Sequence, residues 1–261
     1  MPFQDAKQRF SNRVADYLRY RPGYPPEIVP LLENWCGLRP DHSIADIGSG
    51  TGLLSRVFLD FGNRVYGVEP NAEMRAAGEE LLSSYAKFTS VAGSAEDPGL
   101  PPDSVDFVTA GQAFHWFRQP AAREEFHRIL KAHGRTIIVW NERLIDGTAF
   151  LRDYEGLLLR FGTDYSKVSE SYPRAEQMLE FFRPNEFTSH ALPNFQEFDF
   201  EGLSGRLRSS SYAPAPAHPQ FEPMMSGLRR IFDGHHQNGV VRMEYRTRVY
   251  TGKLGFDRKT A

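Results

Sequence analysis

The sequence predicts an α/β fold: a mostly parallel sheet of seven strands with helices on both faces, an antiparallel final strand and a helical cap inserted after the fifth strand. Three observations lead to this prediction. Apolar runs alternate with amphipathic stretches over residues 43–142, which is typical of a parallel sheet with right-handed crossovers. Longer helical patterns interrupt this alternation over 143–236. The last run, 241–249, alternates apolar and charged residues, which is typical of a half-buried antiparallel or edge strand.

The first elements are marked by proline and glycine. Pro25 and Pro26 suit a helix start, and Gly37 suits its end. Residues 43–47 form an apolar run that predicts the first strand. Residues 52–61 place their apolar side chains on one helical face, which predicts the helix that follows.

The same rhythm continues through three more strands. Residues 63–71 predict the second strand, and Asn71 caps a helix that we expect to run to about Ser84. Residues 87–97 hold the third strand and its exit loop, and 104–117 hold the fourth strand and its exit loop.

A fifth and a sixth strand complete the pattern before the final one. Pro120 opens a helix, which we expect His133 and Gly134 to end. Residues 135–143 then predict the fifth strand, and 187–200 predict the sixth.

The composition is that of an ordinary folded domain. A chain of 261 residues suits one large domain, or one domain with an inserted cap. The net charge of −2 gives no basic field that would favour nucleic acid or an anionic membrane. The single cysteine, Cys36, cannot form an internal disulfide and favours a reducing compartment. The charged amino-terminal stretch lacks a signal-peptide core, and no apolar run reaches the ~20 residues that span a bilayer. We therefore expect a cytoplasmic protein.

A glycine-rich loop follows the first strand in the stretch SIADIGSGTGLLSRVF, residues 43–58. A triphosphate loop needs a lysine and then Ser or Thr after its last glycine, but Leu53 and Leu54 follow Gly52. A dinucleotide fingerprint needs G-x-G-x-x-G, and here the third glycine comes one position early. Glu69 ends the second strand, where a carboxylate can accept hydrogen bonds from a ribose diol. The pattern indicates a nucleoside ligand without a pyrophosphate.

Three motifs in order resemble those of the class I S-adenosylmethionine-dependent methyltransferase superfamily. ADIGSGTG at 45–52 resembles its first motif, VEPN at 68–71 its second, and GSAED at 93–97 the segment that cradles adenine. YRPGYP at 20–25 and AFHWF at 113–117 resemble small-molecule enzymes of the trans-aconitate methyltransferase type. This resemblance implies a Rossmann-like fold and S-adenosyl-L-methionine as the cofactor.

The resemblance also implies a set of cofactor-binding residues. They are Asp46, Gly48, Ser49, Gly50, Glu69, Pro70, Ser94, Ala95, Glu96, Gln112 and Ala113. Asp46 would hold the methionine amino group directly or through water, or would instead cap nearby backbone amides. Glu69 would bind the ribose. Glu96 and backbone amides would meet the adenine edge, with Asp97 as a competing acid.

His115 is the candidate general base, because its ordinary pKa lies near neutrality; the alternative is a packed histidine bonded to backbone. Six residues are candidates for acceptor contacts or a lid: Tyr17, Tyr20, Arg21, Tyr24, Trp116 and Tyr212. Arg21 would pair with a carboxylate of cofactor or acceptor. The alternative for this segment is a surface helix held by aromatic packing.

With this resemblance the chain divides into four parts. Residues 1–42 form a cofactor-covering segment and the first helix, and 43–142 form the cofactor-binding core. Residues 143–236 contain the cap, the sixth strand and the acceptor pocket, and 237–261 contain the final strand and tail.

The arginines of the last strand and the two histidines before it indicate neither a nucleic-acid-binding site nor a metal site. Arg242, Arg246 and Arg248 fit a solvated strand face. His235 and His236 have no companions at metal-ligand spacing, so we expect no metal site.

We expect methyl transfer to a small molecule, at a carboxylate or hydroxyl oxygen, by in-line displacement. Two alternatives stay open: a methyltransferase acting on RNA or protein, and a cofactor-binding protein without turnover. The oligomeric state stays open between monomer and dimer.

Overall fold

The computed structural model describes residues 19–163, 165, 175–210 and 212–255. The prediction for Tyr17 therefore lies outside the described residues. Within them, seven strands form a sheet in the order β3-β2-β1-β4-β5-β7-β6. The strands are β1 Ser43–Ile47, β2 Arg64–Val68, β3 Phe88–Val91, β4 Val105–Gly111, β5 Leu130–Arg143, β6 Phe187–Phe198 and β7 Val241–Gly252. β7 is antiparallel to β5 and β6, whereas the other neighbours are parallel, so the predicted fold class is confirmed.

The helices begin and end at residues that suit those positions. They are α1 Ile28–Cys36, α2 Leu53–Phe61, α3 Ala72–Leu81, α4 Gln119–Ile129, α5 Ala149–Phe161, α6 Ala175–Phe182, α7 Phe200–Arg208 and α8 Phe221–His235. Asn71 caps α3 as predicted, because its side chain accepts from the backbone N–H groups of Glu73 and Met74. Gly37 ends α1 in the left-handed conformation, also as predicted.

The end of α4 differs from the sequence-based expectation. The helix ends at Ile129 and β5 begins at once, so the prediction that His133 and Gly134 end the helix is wrong. Register shifts between Val105 and Phe107 of β4, which marks a bulge in this pair of strands. The buried carboxylate of Asp106 accepts from Lys131 Nζ at 2.8 Å and contacts His133 Nε2 at 3.0 Å. These long-range contacts hold the extended path.

Two apolar clusters cover the two faces of the sheet. Phe126 and Phe181 pack α4 and α6 on one face. Leu32 and Phe58 pack α1 and α2 on the other. Helices therefore lie on both faces, as predicted.

A third cluster forms the helical cap. It joins α5, α7 and α8 to the first half of β7, with Tyr154, Leu203 and Leu228 fully buried in it. α6 lies in the same insertion, but it packs under the sheet, where the ring of Phe181 meets Phe114 edge-on at 4.9 Å. Within the described part of the chain, no helix has the length and apolar character needed to cross a membrane.

Candidate functional site

The glycine loop turns sharply at the carboxyl ends of β1, β2 and β4. Gly48 has a φ of 68°, and its N–H donates to the carbonyl of Val68 at 2.8 Å. A Cβ added at Gly48 would lie 2.6 Å from the Cβ of Ala113. This position therefore requires glycine for both its backbone conformation and its space.

Glu69 binds the loop from the end of β2. Its Oε2 accepts from the N–H of Gly50 at 2.9 Å, and its Oε1 accepts from the N–H of Asn71 at 2.8 Å. The residue is only 8% exposed. A carboxylate oxygen has two acceptor directions, so these backbone bonds are compatible with further bonds from hydroxyl groups.

Asp46 lies fully buried beneath the loop. Its Oδ2 accepts from the Ser55 hydroxyl at 2.6 Å, and its Oδ1 accepts from the Thr109 hydroxyl at 3.0 Å. Burial raises the pKa of Asp46 to about 6, although these hydrogen bonds oppose the rise. Ser55 and Thr109 were not recognised from the sequence; a polar residue inside the apolar fourth strand is the signal that marks Thr109.

A cleft opens above Asp46. The residues that line it are Arg21, Pro22, Tyr24, Asp46, Gly48, Ser49, Gly50, Thr51, Leu53, Leu54, Gly111 and Gln112. Five of the eleven predicted cofactor residues are therefore in its wall. Glu69 and Ala113 contact that wall, through Gly50 and Gly48 respectively.

Gln112 presents an acceptor at this cleft. Its Nε2 donates to the carbonyl of Asn141 at 3.1 Å, which orients the amide. Its Oε1 is buried and has no hydrogen-bond partner among the described residues. With the Asp46 carboxylate in the same wall, the cleft suits a ligand that carries a positively charged amino group.

The loop after β3 lies outside this wall. The Ser94 hydroxyl accepts from the N–H groups of Glu96 and Asp97. Glu96 Oε1 accepts from the N–H of Arg118 at 2.7 Å, whereas Asp97 is exposed. Of the two competing acids, Glu96 is the one that faces the segment after β4. Ala95 is buried, and Pro70 is exposed directly after Glu69.

His115 lies between two indole rings. Its ring centroid is 4.3 Å from that of Trp116 and 5.1 Å from that of Trp140. Its Nδ1 is buried without a hydrogen-bond partner within the described ranges. Burial, assisted by the nearby Arg21 charge, lowers the pKa of His115 to about 4, so the imidazole is neutral at pH 7.

The segment 20–24 contributes Arg21, Pro22 and Tyr24 to the wall of the cleft and is held by side-chain amides. The Asn141 Nδ2 donates to the carbonyl of Gly23 at 3.1 Å, and the Asn194 Nδ2 donates to the same carbonyl at 2.9 Å. Gln196 Nε2 donates to the carbonyl of Tyr20 at 3.2 Å. The sequence analysis does not predict a role for these three amides. Polar residues within strand-like runs are the signal that could identify them.

The predicted lid residues do not all reach the cleft. Arg21 and Tyr24 line it, and the Tyr24 hydroxyl lies over Gly111. Tyr20 is buried against Gly205 of α7. Tyr212 is buried inside the cap, and Trp116 packs on His115 rather than on the cleft. Across the described residues, no group of three or more His, Cys, Asp or Glu could hold a metal.

Residues 45–138 match the family model of a methyltransferase domain. This range contains the glycine loop, Glu69 and His115. The core of the chain therefore resembles a methyltransferase domain. An uncharacterised methyltransferase of Schizosaccharomyces pombe is 33% identical over 135 residues, which cover 51% of this chain and 53% of that protein. The chain thus spans about half the length of the curated relatives that it matches.

Solved structures share the fold of this chain. A candidate type II methyltransferase from Anaeromyxobacter dehalogenans has a TM-score of 0.66 at 23% identity, covering 91% of this chain and all of that one. Phosphoethanolamine N-methyltransferase 2 of Haemonchus contortus, solved with S-adenosyl-L-methionine, has a TM-score of 0.56 at 16% identity and covers 98% of this chain and 60% of that one. At these identities the likeness extends to the fold alone.

Proposed function

We propose that the protein transfers a methyl group from S-adenosyl-L-methionine to a carboxylate or hydroxyl oxygen of a small molecule. The observation that carries this proposal is the pair of buried carboxylates at the glycine loop. A pyrophosphate site needs free amides in the glycine loop and at the start of the following helix. Here Glu69 accepts from the Gly50 amide, and Asp46 lies beneath the loop. The loop therefore disfavours a phosphate and suits a cationic nucleoside.

The residues at the cleft fit this cofactor. Asp46 and the unpartnered Oε1 of Gln112 would accept from its amino group, and Glu69 would accept from its ribose hydroxyls. The remaining residues would form the loop wall and the adenine side: Gly48, Ser49, Gly50, Pro70, Ser94, Ala95, Glu96 and Ala113. The bound cofactor supplies a methyl group on a positively charged sulfur.

The chain then has to align the acceptor and exclude water. Segment 20–24, with Arg21 and Tyr24 in the cleft wall, would do both from one side, and the cap from the other. A carboxylate acceptor needs no base, whereas a hydroxyl acceptor does. Because a pKa of about 4 makes His115 a weak base, a carboxylate fits these surroundings better. This preference agrees with the resemblance to the trans-aconitate methyltransferase type.

Calorimetry on the full chain tests the cofactor assignment. S-adenosyl-L-methionine and S-adenosylhomocysteine should bind with micromolar affinity, about −8 kcal/mol, and NAD should not bind. Tighter binding of NAD than of S-adenosylhomocysteine would overturn the proposal. A screen with methyl-labelled cofactor against carboxylic acids, including trans-aconitate, and against phenols and alcohols tests the acceptor class. Labelled RNA or protein as the main product would contradict it.

A further inference from the structure

A cluster of buried arginine and tyrosine side chains lies inside the cap, next to the cofactor cleft. Arg206 on α7 is 5% exposed and Arg143 at the end of β5 is 6% exposed. Buried tyrosines surround these two arginines: Tyr154, Tyr165, Tyr212 and Tyr245. We call these six residues the arginine–tyrosine cluster.

The two arginines differ in their partners. Arg143 donates to the carboxylate of Glu155 and to the hydroxyl of Tyr165, so its charge is balanced. Arg206 donates to the hydroxyl of Tyr245 at 3.2 Å and to the hydroxyl of Ser210 at 2.9 Å. No carboxylate among the described residues pairs with its guanidinium. Within the described part of the cap, the cluster therefore holds one buried positive charge without a carboxylate counter-ion.

A buried hydroxyl in the same cluster also lacks a partner. Tyr154 is 1% exposed, and its hydroxyl makes no hydrogen bond to any residue in the described part of the chain. The guanidinium of Arg143 lies over its ring, 5.2 Å from the centroid. Buried polar groups are normally paired, and a buried charge without a partner is strongly unfavourable. The guanidinium of Arg206 and the hydroxyl of Tyr154 are both hydrogen-bond donors, and an anion could accept from both of them.

The cluster is adjacent to the cofactor cleft through Arg21. This residue lines the cleft, and its NH2 group donates to the carbonyl of Ser209, three residues beyond Arg206. Burial alone would raise the pKa of Tyr212, but the charges of Arg206 and Arg143, a hydrogen bond with Ser210 and the charge of Arg21 together outweigh burial and lower it. Three guanidinium charges thus act on the phenol of Tyr212 inside the cap.

We propose that the arginine–tyrosine cluster binds an anionic group of the acceptor, a carboxylate or a phosphate, between the guanidinium of Arg206 and the hydroxyl of Tyr154. The anion supplies the missing counter-ion, and a guanidinium offers the paired N–H donors that such oxygens accept. The inference rests on the proposed function, since it gives the acceptor a place beside the methyl donor. Because the cluster is buried, binding there requires the cap to open.

Anion titration of the full chain tests this site. The chain is loaded with S-adenosylhomocysteine and titrated with succinate and, separately, with inorganic phosphate, at constant ionic strength in chloride. One of them should bind, and the tighter one identifies the class of anion. Arg206→Met should weaken this binding at least tenfold, and Tyr154→Phe, which removes only a hydroxyl, at least about fivefold. Arg208→Met is the matched control, because Arg208 is exposed on the same helix, and it should leave the affinity unchanged.

Separate readouts distinguish this inference from the proposed function. S-adenosylhomocysteine affinity and melting temperature are measured for every variant. A folded Arg206→Met that binds the anion as well as the parent overturns the inference, as does a parent that binds neither anion while binding S-adenosylhomocysteine. Equal weakening by Arg208→Met also overturns it. Specific anion binding without S-adenosylhomocysteine binding supports the site and overturns the proposed function. If Arg206→Met does not fold, Tyr154→Phe decides by the same criteria.

Discussion

Glu69 accepts a hydrogen bond from the backbone N–H of Gly50 at 2.9 Å, which ties the end of β2 to the loop after β1. Its other oxygen accepts from the N–H of Asn71, at the start of α3. The same carboxylate therefore shapes the loop and, under the proposed function, also binds the ribose. A substitution at Glu69 should affect both the shape of the loop and the affinity for a nucleoside.

Glu69→Ala should weaken S-adenosylhomocysteine binding at least ~10-fold, because hydrogen bonds to a charged group contribute roughly 1.5–3 kcal/mol each. Glu69→Gln keeps one acceptor oxygen and should retain part of the affinity. Calorimetry measures both variants, and thermal melting shows whether they are folded. Glu80→Ala is the control, because Glu80 is exposed on the neighbouring helix. A folded Glu69→Ala that binds as tightly as Glu80→Ala would contradict a ribose role.

Gly48→Ala should lower stability and cofactor affinity together. The new Cβ would lie 2.6 Å from that of Ala113, and the φ of 68° is strained for alanine, so a loss of about 1–3 kcal/mol is expected. Gly156→Ala is a matched control in α5, where an added Cβ meets nothing within 4 Å. That change should leave binding unaltered and stabilise the helix by up to about 1 kcal/mol. Chemical denaturation and calorimetry measure the two effects; a neutral Gly48→Ala would disprove the close packing.

Asp46 should make cofactor affinity depend on pH. Its pKa of about 6 means that the carboxylate gains its charge as pH rises through 6, so affinity for a ligand with an amino group should rise over the same range. Stability should change in the opposite direction. The folded pKa lies above the unfolded one, so the contribution of Asp46 to stability is lost as pH rises from about 4 to about 6.

Asp46→Asn separates these two effects. The variant should bind S-adenosylhomocysteine more weakly at pH 7.5, lose the rise in affinity near pH 6 and keep or increase its melting temperature. Asp103→Asn is the control, since Asp103 is exposed and far along the chain from the loop. An unchanged affinity–pH curve in Asp46→Asn would remove Asp46 from the cofactor site.

Asn141 should control the order of the segment that closes the cleft. Asn141→Ala removes a donor to the carbonyl of Gly23 and an acceptor for Asn194. Loss of a buried hydrogen-bonded group costs about 1–3 kcal/mol, so cofactor affinity should fall severalfold. Amide exchange at Arg21, Gly23 and Tyr24 should become faster. Asn185→Ala removes a comparable amide-to-carbonyl bond near the end of β7 and should change neither measurement. Equal exchange rates in both variants would show that Asn141 does not hold the segment.

The sheet and the loop could be predicted because their signals are local. The apolar run at 43–47 indicates a buried strand, and the alternation at 241–249 indicates a half-buried one. Each pattern can be recognised without the rest of the sequence. Gly37 and Asn71 act on helix ends within a few residues. The position of Glu69 at the end of a strand follows from the order of elements, because parallel strands end at one edge of the sheet.

The other site features depend on distant residues. Asp106 contacts Lys131 and His133, about 25 positions further along the chain, and these contacts hold the first residues of β5 in an extended conformation. A prediction from local signals therefore puts the end of the preceding helix too late. Asn141 meets Gly23 across 118 positions, and no spacing rule connects them. Arg206 looks like an ordinary basic residue in the last turn of a helix. Only the packing of the cap reveals that it is buried and that no carboxylate of the described residues pairs with it.

His115 should not act as a base with an ordinary pKa. The rings of Trp116 and Trp140 pack against it, and burial together with the Arg21 charge lowers its pKa to about 4. With saturating cofactor and a verified acceptor, kcat should therefore show no inflection near pH 6.5 that depends on this residue. Any acid limb due to His115 should lie near pH 4, where the imidazole takes up a proton.

The effect of His115→Gln should depend on the acceptor. With a hydroxyl acceptor, loss of the imidazole should lower kcat about 10²-fold, the low end of the range for a general base, since a base this weak accepts a proton poorly. With a carboxylate acceptor, already anionic at neutral pH, the loss should be less than tenfold. His127→Gln, on the exposed side of α4, is the control and should leave kcat unchanged.

The measurement is kcat against pH for the parent and both variants. Melting curves at each pH are needed as well. Below about pH 6.5 the imidazole of His115 takes up a proton in the unfolded chain but not in the folded one. The stability of the fold should therefore decrease as the pH falls from about 6.5 to about 4. An inflection near pH 6.5 that is present in the parent and absent in His115→Gln would show that the imidazole is solvated in the working protein, and the carboxylate preference would then lose its basis.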